Sequence, residues 1–228
     1  MLFAKINATN PLRKEQVNMF KMVSGGNGRS VYFGKVGSID QEMFQLTGNE
    51  WDSEARVEVT QTLNLRKDPE FEGTMVEDGK IAVAMVLPSR KDPAKGTVEE
   101  MVGESGALSV INENGNEKVI LYGKVHKVQW NQKHNRFTVS FLDIKNAQDE
   151  YLGTEQRYKD RFNLEYVSHW LNVSFFDSNK FKSTYNAERV SQRIQKGDWV
   201  VMVASKKVSM YEGREIVNYN GGKFFKIN

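Results

Sequence analysis

Apolar residues recur at every second position through much of this chain, and the alternation is clearest after residue 115. Segments 117–130 (EKVILYGKVHKVQW), 136–144 (RFTVSFLDI), 169–176 (HWLNVSFF), 198–210 (DWVVMVASKKVSM) and 214–227 (REIVNYNGGKFFKI) predict five strands. One segment between the third and fourth has helical spacing instead. In AERVSQRI, Val190 and Ile194 are four apart on one face, and Gly197 stands just past the end. Three strands, one helix and two strands within about 110 residues is the layout of a five-stranded Greek-key barrel of the OB type, whose surface takes oligonucleotides or oligosaccharides.

The first half is less regular. Asn10 as N-cap, Pro11 at the first helical position and apolar Leu12, Met19, Phe20 and Val23 predict a helix stopped by Gly25-Gly26-Asn27-Gly28. Strand-like runs follow in SVYFGKVGSI, EARVEVTQTLNL and KIAVAMVLP, with turns at Asp68-Pro69 and Asp78-Gly79. Residues 88–97 (PSRKDPAKGT) read as a linker, and Thr97 with Glu100 as the cap of a short helix ending at Gly103. A weak internal echo links the halves. Val31-Tyr32-Phe33-Gly34-Lys35-Val36 parallels Ile120-Leu121-Tyr122-Gly123-Lys124-Val125, and IAVAMVLPS precedes WLNVSFFDS by the same 89 residues. The expected fold is mainly β with a few helices. Residues 1–105 form an α+β unit or a degenerate OB barrel, and residues 106–228 form a five-stranded OB barrel.

Composition narrows the chemistry. The 228 residues include no Cys, which excludes disulfides, thiolate zinc sites, iron–sulfur ligation and thiol catalysis. No run approaches the roughly 18 apolar residues of a membrane helix, and the N-terminus has no signal core, so a cytoplasmic protein is expected. The net charge of +3 conceals a division: residues 106–228 hold 19 Lys and Arg against 13 Asp and Glu, and residues 1–105 hold 13 against 16. Of the 25 aromatic residues, 18 also lie after residue 105. A basic, aromatic half of this kind suits a polyanion.

Three motifs in the second half carry a family resemblance. Lys118 to Val125 (KVILYGKV) is similar to an opening strand of the form N-x-V-x-L-x-G-x-L. His169 to Phe176 (HWLNVSFF) is similar to E-W-H-x-V-x-x-F, and Ala187 to Val200 is similar to a helix and strand of the form A-E-x-V-x-x-x-L-x-K-G-x-x-V. In this order, and at this spacing, they resemble the bacterial-type single-stranded DNA-binding proteins over about residues 115–228. The resemblance implies an OB barrel, stacking of bases on Trp170, Phe176 and Tyr211, and phosphate contacts from Lys124, Lys127, Arg136, Lys206 and Lys207. It further implies a non-enzymatic protein without cofactor or metal that coats and protects single-stranded DNA during replication, recombination or repair, and that self-associates as a dimer or tetramer. The second strand lacks the Trp that many members place there, and no acidic tail closes the chain, so partner recruitment by such a tail is not expected. Together with the added N-terminal half, these departures suggest a phage or mobile-element relative.

The residues also set the competing readings. Phe175 and Phe176 are adjacent and must face opposite sides of a strand, and the resemblance selects Phe176 for DNA. Trp199 alternates with Val201 and Val203 and is expected to face a core. A protein-interaction module or an RNA-binding module on the same barrel are alternatives. A metal-dependent nuclease would need its carboxylates gathered, and Asp143, Asp149, Glu150 and Asp177 are scattered in sequence. The three His, at 126, 134 and 169, have no paired ligand spacing.

Overall fold

The computed structural model describes residues 21–24, 29–38, 40–52, 55, 57–67, 77–87, 94–100, 105–112, 114–146, 148–153, 168–177 and 186–227. Its strands are β1 (Lys21–Ser24), β2 (Ser30–Ser38), β3 (Met43–Asp52), β4 (Val57–Lys67), β5 (Ile81–Val86), β6 (Ala94–Glu100) and β7 (Gly106–Ile111), followed by β8 (Glu117–Lys124), β9 (Lys127–Asn131), β10 (Arg136–Leu142), β11 (Trp170–Phe176), β12 (Trp199–Tyr211) and β13 (Arg214–Ile227). The described α-helix is α1 (Ala187–Ser191), between β11 and β12, and a 3-10 turn (Gln132–His134) joins β9 to β10.

The second half forms the expected barrel. Its sheet runs β7-β8-β12-β13-β11-β10-β9, and every pairing is antiparallel except β11 with β13. The predicted strand 117–130 is broken at Val125 and His126 into β8 and β9, which pair with β12 and β10 respectively. Taking β8 and β9 as one bent strand, the five barrel strands follow the order 1-2-3-5-4-1, and the sheet closes on itself.

The first half repeats that order. Here the circuit is β2-β3-β4-β6-β5 and back to β2, with β4 and β6 the parallel pair. Of the two alternatives held for residues 1–105, the strand order is that of the degenerate barrel. β2 changes partner at Lys35: Ser30 to Lys35 pair with β5, and Lys35 to Ser38 pair with β3. Gly34 marks this corner because a Cβ there would lie 2.5 Å from the Thr47 carbonyl oxygen. Gly123 stands at the matching corner, with φ +157 and no room for a Cβ beside Ser105 Oγ at 2.6 Å. Each barrel also carries one extra strand on its first, β1 against β2 and β7 against β8.

The first half of the internal echo is therefore structural. The second is not, because IAVAMV is the fourth strand of its barrel and WLNVSFF the third. Several local expectations also fail. Lys21–Ser24 is a strand rather than the end of a helix reaching Val23, because pairing with β2 buries Met22 and Val23. The rest of that helix lies outside the described residues. Thr97 and Glu100 belong to β6 and cap no helix, and the linker reading fails over 94–97 for the same reason. β3 and β7 stand outside the strands that the apolar pattern predicts.

Apolar side chains fill three clusters. One lies inside the second barrel around Phe137, Phe141, Leu171, Phe175, Met202 and Phe224, and one inside the first around Val36, Phe44, Leu46 and Leu65. The third joins the halves: Met22, Val23, Val31 and Val83 pack with Leu108, Val110, Ile120, Tyr122, Val201 and Val203. Val31 and Ile120, 89 residues apart, hold equivalent places on the first barrel strands and belong to this one cluster. The run Val200 to Ala204 is consequently buried on both sides, as in strands covered on two faces. Trp199 shares its side of β12 with Val201 and Val203, which is the outside of the barrel and not its core.

Candidate nucleic-acid interface

Strands β9, β10 and β11 alternate between the barrel core and an outer face. On β11, Leu171, Val173 and Phe175 are buried, whereas Trp170, Asn172, Ser174 and Phe176 point outward. The cross-strand register sets these outward residues in rows. Phe176 lies opposite Arg136, Ser174 opposite Thr138, Asn172 opposite Ser140 and Trp170 opposite Leu142. β9 extends three of the rows with Asn131, Gln129 and Lys127, opposite Arg136, Thr138 and Ser140.

The face thus has a polar middle and an aromatic ring at each end. In the middle, Ser140 Oγ donates to Asn172 Oδ1 at 2.6 Å, and the Thr138 and Ser174 hydroxyls are 3.5 Å apart. At one end Phe176 is 47% exposed, while its neighbour Phe175 is 1% exposed and packs edge-on to Phe224. At the other end Trp170 is half-buried, with the His126 ring edge-on at 5.0 Å and 76°. Six residue steps along the strand separate the two rings, about 20 Å at roughly 3.3 Å per residue.

Of the residues selected from sequence, Lys127, Arg136, Trp170 and Phe176 share this face. Arg136 Nε is buried there without a hydrogen-bond partner. Tyr211 and Lys207 lie on a different element, the hairpin of β12 and β13, on one side of β12. Lys124 is exposed at the end of β8, opposite Trp199. Lys206 is engaged with Glu117, whose two carboxylate oxygens stand 3.2 and 3.3 Å from its ammonium group. That ion pair competes with any phosphate for the Lys206 charge.

Other residues of the region were not foreseen. Gln129, Ser140 and Asn172 are legible only through the register, since their spacing in sequence signals nothing. Trp130 is 38% exposed and leans on Phe137 at 6.3 Å. Tyr151 stacks on His169 with ring centroids 3.8 Å apart, and the Lys145 ammonium sits 5.0 Å over the Tyr151 ring. The carboxylates weighed for a nuclease are tied to local contacts. Asp143 accepts from the His169 backbone N–H, Asp149 faces Lys145 at 3.9 Å, Glu150 accepts from Asn146, and Asp177 accepts from the Glu188 backbone N–H. Among the described residues no three His, Asp or Glu side chains gather as a metal site. No described helix is long and apolar enough to cross a membrane.

No protein-family model matches the chain, and no curated protein matches it. Among solved structures it is similar to the wild-type single-stranded DNA binding protein from Thermus aquaticus, with 13% identity and a TM-score of 0.27 over 93% of this chain and 88% of that one. At that level of likeness the barrel assignment rests on this chain's own strand order.

Proposed function

We propose that this chain is a single-stranded DNA-binding protein of the bacterial type, and that its second barrel holds the strand without strong sequence preference. The observation that carries the reading is the placement of Trp170 and Phe176 on one outer face of β11, with Lys127 and Arg136 beside them. A sequence-tolerant binder needs this pairing of cations for phosphates with ring faces for bases. The strand order of an OB barrel and the basic balance of residues 106–228 support it.

In this reading residues 106–228 form the binding unit and residues 1–105 a second, partnering unit. Tyr211, Lys124 and Lys207 extend the contact beyond the central face, and Lys206 contributes where Glu117 releases it. The protein acts without catalysis in the cytoplasm, covering single strands in replication, recombination or repair of a phage or mobile element, and associates as a dimer or tetramer.

A tryptophan-fluorescence titration with oligo(dT), duplex DNA and oligo(rU) at several salt concentrations tests it. The expected result is quenching by oligo(dT) in strong preference to duplex, with a log–log salt slope of about −0.7 per phosphate contacted. Absence of binding to oligo(dT) at low salt would sink the reading, and a preference for oligo(rU) would move it to RNA.

A further inference from the structure

The arm in which β12 and β13 continue past the barrel is tied to the barrel by charge at its root. Pairing of β12 with β8 ends at Ser205, and the next residue, Lys206, turns its ammonium group onto Glu117 at the start of β8. Both side chains keep some access to water, at 29% and 30% exposure. Glu117 is held from a second side, because Ser109 Oγ on β7 donates to its Oε1 at 2.7 Å. An ammonium group and a hydroxyl converging on one set of anionic oxygens are also what a phosphate needs.

The register places this pair within reach of a strand on the candidate face. Val173 of β11 lies beside Tyr219 of β13, and Tyr219 lies opposite Lys206. Two strand spacings, roughly 10 Å, therefore separate Lys206 from β11. β13 runs parallel to β11 and arrives from the arm, so the Trp170 end of β11 is the end nearer the arm. A strand that passes Trp170 on its way to Lys207 and Tyr211 crosses the root of the arm, where Lys206 stands.

A cation in contact with a carboxylate is not equivalent to a free one. Carboxylate and phosphate are both anionic oxygen acceptors, so a strand gains the full Lys206 contact only by displacing Glu117. The displaced carboxylate then stands beside the phosphates as a like charge. We propose that Glu117 is a built-in competitor of the strand, which occupies the Lys206 phosphate contact in the free protein and holds the affinity below what the cations of this half would give. The proposal rests on the strand-binding reading above. The other role open to the pair, a brace that holds the arm to β8, predicts the opposite sign when Glu117 is neutralised.

The test is Glu117→Gln, with two companions. Ser109→Ala loosens the carboxylate without changing any charge, and Glu215→Gln removes one exposed carboxylate from the arm itself. Each is titrated with oligo(dT) by tryptophan fluorescence at several salt concentrations, and thermal melts check folding. Glu117→Gln is expected to bind about three- to tenfold more tightly at low salt, with a log–log salt slope more negative by about 0.7, the increment of one added phosphate contact. Ser109→Ala is expected to tighten binding by about twofold. Glu215→Gln is expected to leave the slope unchanged. Unchanged or weaker binding by Glu117→Gln or, where that protein does not fold, by Ser109→Ala would overturn the proposal, the weaker case by making the pair a brace. An equal gain and an equal change of slope in Glu215→Gln would also overturn it, by assigning the effect to overall charge. Failure of the wild type to bind oligo(dT) would bring down the strand-binding reading itself, and the proposal with it.

Discussion

At the residue scale, the side chains that matter are told apart by which side of a strand they leave. Phe175 and Phe176 are adjacent and chemically identical, yet one fills the barrel and the other stands in solvent. On the proposed reading, replacing Phe176 or Trp170 with Ala removes a stacking surface of about 1–3 kcal/mol, so oligo(dT) affinity is expected to fall by about 5- to 150-fold while the melting temperature of the Phe176 variant stays near wild type. Fluorescence titration and thermal melts check the two halves of that statement. Tyr219 belongs to a different argument. Burial first, and the Glu117 carboxylate second, raise its hydroxyl pKa above the ordinary value of about 10. An acid whose folded pKa is raised stabilises the fold fully below the unfolded value and loses that contribution as pH rises through the folded one. The wild type is therefore expected to lose stability above pH 10 by a route that Tyr219→Phe removes, as urea unfolding from pH 8 to 11 would show. The outward side of Trp170 and Phe176 was legible in the sequence because a motif fixed their parity. The state of Lys206 was not, because Glu117 is 89 residues away.

At the element scale, strands were read well where alternation is plain, and also in β12, whose residues Val200 to Ala204 are covered on both sides. β10 and β11 alternate plainly, and their predicted spans hold to within a few residues. β7 escaped because six residues of mixed apolar character signal little until Tyr122 and its neighbours on β8 pair with them. The last residues of the N-terminal helix, at Lys21–Ser24, and the short helix at Thr97 were misread because those residues pair as strands β1 and β6. α1 shows the opposite case, in which a local signal survives: Asn186 Oδ1 accepts from the Arg189 N–H at 2.9 Å, and Ala187 and Val190 turn to the core. Asn186→Ala is expected to cost about 1 kcal/mol in urea unfolding. On β13, Gly221 leaves the space that the Phe175 ring occupies. Gly221→Ala is expected to cost about 1–3 kcal/mol through overpacking, measured the same way, since the Phe175 ring is buried against Phe224.

At the scale of the whole molecule, the two barrels share a cluster built from corresponding strands, β1, β2 and β5 on one side and β7, β8 and β12 on the other. Ile120 is fully buried in it, and Ile120→Ala is expected to lower the unfolding free energy by about 2–5 kcal/mol. Because that residue joins the halves, calorimetry of the variant is expected to resolve two transitions where the wild type gives one; a single transition at the wild-type temperature would count against the shared cluster. The amino-acid sequence by itself determined the mainly β class, a barrel in the second half, the basic and aromatic character of that half and the absence of cysteine chemistry. These follow from period-two alternation, one helical interruption and composition, all of them local or additive properties. Only the tertiary structure decided that the first half repeats the barrel order, that the outer side of β12 is covered, and that Lys206 is paired while Gln129, Ser140 and Asn172 line the candidate face. Each of these depends on which distant strands meet and in what register, and a pattern of apolar and polar positions along one strand does not specify its partner.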